Sequence, residues 1–94
     1  MTKLSELKRD WMKDPAFRAE YDALEDEFAL IRALIEARSR AGLTQGELAK
    51  RMGTTQSAIA RIEGGKINPS VDMLRRYAKA TGRRLHVTLE ADGV

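Results

Sequence analysis

The sequence predicts an all-α chain that ends in one short β-strand. Three observations lead there. Between residues 15 and 40 the apolar residues recur at helical spacing. Between residues 44 and 81 three short helical patterns each start at a hydroxyl side chain and stop at glycine. After Gly82 the apolar period falls from 3.6 to 2.

Taken in order, residues 2–13 carry Leu4, Leu7 and Trp11 at i, i+3, i+7, an amphipathic helix too short to be stable alone in water. Asp14-Pro15 is a second start signal, an N-cap followed by proline at the first helical position. From there Phe17, Tyr21, Leu24, Phe28, Ile31 and Ile35 step by 4, 3, 4, 3, 4. The stripe predicts a helix of about 25 residues ending near Arg40, with Gly42 as its stop. Its second half is needed to cover a core. Its first half extends further than a compact domain requires, and Trp11, Phe17, Tyr21 and Phe28 are four of the chain's five aromatics. Two readings fit this end: a hairpin folded on its own domain or paired with its copy, and a docking element for another protein.

Thr44 and Glu47 form a Thr-x-x-Glu capping box, so a helix starts at Gln45 and places Leu48, Ala49 and Met52 on one side. Gly53 ends it where a positive φ would cost a residue with a Cβ about 1–2 kcal/mol. Thr54 or Thr55 then caps a second helix, closed by Gly64-Gly65, with Ala58, Ile59 and Ile62 on its apolar side. Helices joined so tightly cross steeply, and Ala49 is small enough to sit at the crossing. The outer face of the second helix carries Gln56, Ser57, Ala60 and Arg61. Glutamine reads adenine and arginine reads guanine in a major groove, so this face has the chemistry of base readout.

Ser70 caps a further helix, 71–81, whose expected buried face is Val71, Leu74, Tyr77 and Ala78. Lys66, in the loop before it, is suited to phosphate contact. Leu85, Val87 and Leu89 then alternate with polar residues, as in a half-buried strand. A single strand has no ladder, so the pattern points to dimerisation through that strand, antiparallel to its copy, or to pairing with a strand offered by another protein.

Residues 1–27 hold five Lys/Arg against eight Asp/Glu, a net −3, and residues 28–94 hold twelve against six, a net +6. The basic part suits a polyanion and the acidic part suits a basic partner. One histidine, no cysteine and no phosphate-binding loop after a strand leave no catalytic constellation, so neither enzyme activity nor a metal or cofactor is expected. Absence of cysteine and of a long apolar run makes the cytoplasm the expected location.

Thr44-Gln45, Glu47-Leu48-Ala49, Gly53, Gln56-Ser57-x-Ile59, Arg61-Ile62-Glu63-x-Gly65 and Asn68-Pro69 resemble the helix-turn-helix of the XRE/Cro family of phage and bacterial repressors. The resemblance implies a compact, phage-repressor-like helix-turn-helix domain at 28–82. An acidic helical extension at 1–27 precedes it, and a dimerisation strand and tail at 83–94 follow. It further implies a homodimer on operator DNA, with the second helix in the major groove. By position, Gln45 would contact a phosphate, Thr54, Thr55, Gln56, Ser57, Arg61 and Lys66 would line the DNA, and Arg38 would pair with Glu63. Gly53, Ala49 and Ile59 take the structural positions. The opening Leu-x-x-Leu-Lys-x-x-Trp-x-x-Asp-Pro is similar to that of HigA-type antitoxins of type II toxin–antitoxin modules. That likeness implies a RelE/HigB-like mRNA-cleaving toxin as partner, bound through Leu7, Trp11, Phe17, Tyr21 and Leu24. A stand-alone regulator and a protein-binding adaptor on the same scaffold are the alternatives.

Overall fold

The computed structural model describes residues 13–91. Four helices run in the order α1 (Pro15–Arg40), α2 (Gln45–Met52), α3 (Gln56–Glu63) and α4 (Val71–Ala80). The chain divides into two compact units, Met1–Leu30 and Ile31–Val94, with the boundary inside α1. Leu4, Leu7 and Trp11 lie outside the described residues.

Each helix starts where the sequence signals it. Asp14 Oδ1 accepts from the Ala16 N–H at 3.0 Å, so the first turn of α1 has a side-chain cap ahead of Pro15. In α2 the capping box is complete: Glu47 N–H donates to Thr44 Oγ1 at 3.1 Å, and Thr44 N–H donates to Glu47 Oε1 at 3.2 Å. The Thr44 backbone N–H, and after it the Thr44 side chain, hold the Glu47 carboxyl below its ordinary range. Thr55 Oγ1 caps α3 through Ala58 N–H, and Ser70 Oγ caps α4 through Met73 N–H, both at 3.1 Å.

Gly53 has φ +68 and joins α2 to α3 across a three-residue turn, Gly53 to Thr55. A Cβ there would meet nothing within 4 Å, so glycine is required by its backbone angle alone. Gly65, at φ +71, differs: besides the strained angle, a Cβ would lie 3.1 Å from Ile31 Cδ1, so that methyl would have to give by a few tenths of an ångström.

The core of the second unit gathers Leu34 and Ala37 of α1, Leu43, then Leu48, Ala49 and Met52 of α2, Ile59 and Ile62 of α3, and Tyr77 of α4. The helical periods of α2 and α3 thus bury the residues their spacing indicates. On α4 the expected buried face is only partly realised. Tyr77 is buried and Leu74 and Ala78 half-buried, but Val71 stands 57% exposed at the first position, before the helix reaches the core.

The C-terminal strand expected over Leu85, Val87 and Leu89 does not form. Residues 83–91 carry no regular secondary structure, no strand occurs among the described residues, and the fold is all-α. Leu85 is half-buried, Val87 67% exposed and Leu89 98% exposed. An alternating pattern marks residues that fit a pleated surface, but the ladder needs a second backbone, and this chain offers none.

Ile59 is fully buried at the angle between α2 and α3, so Ile59→Ala should destabilise the domain by about 2–5 kcal/mol, as a cavity there cannot collapse freely. Denaturant unfolding of the variant checks this; a loss under 1 kcal/mol would show that the crossing is loosely packed.

Candidate nucleic-acid interface

With Ile59 and Ile62 turned into the core, α3 presents Gln56, Ser57, Ala60 and Arg61 to solvent. An amide, a hydroxyl and a guanidinium therefore share one exposed helical surface, with only the Ala60 methyl between them. Thr55 is exposed but its hydroxyl is engaged as the cap of α3, and Thr54 beside it is half-buried. Lys66 is exposed, and its N–H donates to the Arg61 carbonyl at 2.9 Å, which ties the lysine to the end of α3.

The N-terminus of α2 borders this surface. Gln56 Oε1 lies 3.9 Å from where a Cβ of Gly46 would stand, so the start of α3 passes close to the first turn of α2. The N–H groups of Gln45 and Gly46 have no acceptor within their own helix, because none exists for the first turn. Gln56 and these donors are thus neighbours.

A buried carboxylate fixes the two helices. Glu63, the last residue of α3, has a side chain 4% exposed. Arg38 of α1 donates to it through both Nε, at 2.8 Å to Oε2, and Nη2, at 2.9 Å to Oε1. Gln45 of α2 donates through Nε2 to Oε1 at 3.1 Å. The single hydroxyl proton of Tyr77, on α4, lies between Glu63 Oε2 at 2.7 Å and the Leu34 carbonyl at 2.8 Å. Arg38 also donates through Nη1 to the Leu43 carbonyl at 3.0 Å. Burial pushes the Glu63 carboxyl up, but the hydrogen bonds from Arg38, Tyr77 and Gln45 outweigh it and hold the group below its ordinary value of 4.5. The same contact raises the Arg38 guanidinium, and burial followed by the Glu63 bond raises the Tyr77 hydroxyl.

Two of these roles are not visible in the sequence. Tyr77 reads there as a core aromatic, although a buried tyrosine needs a partner for its hydroxyl. Gln45 reads as a phosphate contact, whereas one of its amide protons is directed to Glu63. The residues grouped as a docking face split: Phe17 and Tyr21 are half-buried with ring centroids 6.2 Å apart, and Leu24 is half exposed. Tyr21 also donates to Glu25 Oε1 at 2.8 Å.

Two short helices packed together across a three-residue turn, the second with an exposed polar face, define a helix-turn-helix protein. A model of the helix-turn-helix family matches residues 34–87, and the chain belongs to that family in its XRE-type form. It is 38% identical over 77 residues to Antitoxin HigA1 of Mycobacterium tuberculosis (strain ATCC 25618 / H37Rv), an alignment covering 82% of this chain and 52% of that protein. It therefore spans about half the length of the HigA1 relatives it matches. An HTH-type transcriptional regulator of Haemophilus influenzae is 32% identical over 90 residues, 93% of this chain and 92% of that protein. One from Methanothermobacter thermautotrophicus is 46% identical over 54 residues, covering 56% and 78%. No solved structure matches.

Glu63→Gln should remove the charge that compensates Arg38 and cost about 3–5 kcal/mol near neutral pH. Because the native Glu63 carboxyl titrates below 4.5, its stabilisation is complete above that value and is lost as pH falls through the lower native one. The variant's stability should therefore vary less with pH in the acid range, which urea unfolding at stepped pH measures. Parallel acid limbs for both proteins would show that Glu63 is not the titrating group.

Proposed function

We propose that this chain is a sequence-specific DNA-binding repressor that places α3 in a major groove. The observation that carries the reading is the exposed Gln56, Ser57 and Arg61 surface on a helix whose orientation is fixed through Glu63. Lys66 and the α2 N-terminus would hold phosphates on either side, setting register while Gln56 and Arg61 touch base edges. Operator binding as a homodimer follows from the two-fold symmetry of such sites.

The finer reading is that the chain is the antitoxin of a type II module, neutralising a basic RelE/HigB-like toxin and repressing its own operon. The likeness to Antitoxin HigA1 over 82% of the chain supports it, as does the acidic, aromatic first half of α1, where Leu24 and Phe28 are 50% and 57% exposed. A stand-alone regulator is the second reading. It is favoured by the Haemophilus influenzae relative, an HTH-type transcriptional regulator matched over nearly its full length.

Gln56→Ala and Arg61→Ala should each cost about 1–3 kcal/mol on the cognate site and relax base preference, while Lys66→Ala should weaken binding to all sequences and flatten the salt dependence. Footprinting and titration on the promoter of the operon measure both effects. No protected site of two-fold symmetry would sink the DNA reading.

Replacing Phe17, Tyr21 and Leu24 together with alanine should leave operator binding intact but abolish rescue of growth from a small basic toxin encoded beside the gene. Rescue at the native level by that variant would remove the docking face and leave the stand-alone regulator.

A further inference from the structure

The C-terminal segment and α4 form a groove that the DNA reading does not use. Val71, Leu85 and Val87 give it an apolar floor, and Arg75, Lys79, Arg83 and Arg84 line it with positive charge. Val71, Arg75 and Lys79 lie on one row of α4, each four residues from the last, and Arg83 is anchored by its N–H to the Ala78 carbonyl at 2.7 Å. Four cations around exposed apolar area call for an occupant that is acidic and apolar at once. No carboxylate is among the lining residues.

The same chain carries such a surface. Residues 13–30 hold Lys13 and Arg18 against Asp14, Glu20, Asp22, Glu25, Asp26 and Glu27, a net −4 to set against the four cations of the groove. On the helix, Leu24 and Phe28 are i, i+4 neighbours and both are half exposed or more. Glu20 and Glu27 both flank Leu24, four residues before it and three after it on the helix. A two-fold axis setting the groove against its own copy would instead face four cations with four more, which like-charge repulsion opposes.

We propose that the chain dimerises by reciprocal exchange: the acidic first half of α1 in each copy docks in the basic groove of the other. Leu24 and Phe28 cover the floor at Val71, Leu85 and Val87, and Glu20 and Glu27 meet the Arg and Lys rim. The arrangement is isologous, so it closes at two copies. It needs no strand and does not rest on the DNA or toxin readings.

Charge reversal on the full-length chain tests it. Arg75→Glu, Arg83→Glu and Arg84→Glu leave Lys79 against three acids and make the groove acidic, and Glu20→Lys, Glu25→Lys and Glu27→Lys turn the arm's net −4 into a net +2. Sedimentation equilibrium should show a dimer for the native chain and at least tenfold weaker self-association for either triple variant, with helical circular dichroism unchanged. An equimolar mixture of the two variants should recover the dimer, because each acidic groove then meets a basic arm and each basic groove an acidic one. Docking of the arm within its own chain would leave the mixture monomeric and overturn the proposal. A monomeric native chain, or variants that dimerise as the native chain does, would overturn it equally.

Discussion

Glu63 has four hydrogen-bonding contacts on its two oxygens, and they come from three other helices: Arg38 twice from α1, Gln45 from α2 and Tyr77 from α4. A carboxylate taken out of water is unfavourable by several kcal/mol unless such contacts replace its hydration. Here every side chain that can stabilise the charge must keep its place, so the charge holds four helices in a single arrangement. Apolar packing alone is not directional and tolerates small rotations. A bidentate guanidinium contact does not. The functional consequence lies on the opposite side of α3, where the angle at which Gln56, Ser57 and Arg61 face outward is set by the buried end of the same helix.

The helices after α1 are short. Neither α2 nor α3, at 8 residues each, would be stable in water alone. Hydroxyl caps at Thr44, Thr55 and Ser70 satisfy donors that would otherwise be orphaned at each start. At the far ends the helices share donors. Arg51 of α2 donates to the Ala80 carbonyl of α4 at 3.3 Å, and Arg76 of α4 donates to the Met52 carbonyl of α2. The last carbonyls of both helices are thereby covered by guanidinium groups, which also suit the negative ends of the helix dipoles.

Charge is segregated along the chain, and the segregation organises how it can meet partners. The helix-turn-helix unit has a basic character that suits a polyanion, and α3 takes no part in the groove between α4 and the C-terminal segment. The first half of α1 combines acids with exposed apolar side chains, a composition that repels DNA and favours a basic protein surface. A basic toxin and the basic groove of a second copy would satisfy the same acidic face. Binding of one would then exclude the other, which would couple assembly to the presence of the toxin.

Read from its residues alone, the chain determines its helices: Asp14-Pro15, the Thr44–Glu47 box, Gly53, Ser70 and Gly82 act within one turn of the backbone they punctuate, so their effect is fixed locally. The apolar face of α2 and the pair Ile59 and Ile62 are legible for the same reason, since a 3.6 period needs no knowledge of the partner. Other features depended on what lies across the fold. Gln45 gives an amide proton to Glu63, and Tyr77 presents its hydroxyl to a carboxylate 14 positions away, because the crossing of helices brings them within hydrogen-bond reach. Val71 matches the periodicity of α4 yet stays in solvent, since a helical stripe names a face without saying where the core ends. Residues 85–89 alternate as a strand does and remain irregular, because alternation prepares a pleated surface while only a second backbone can complete its hydrogen bonds.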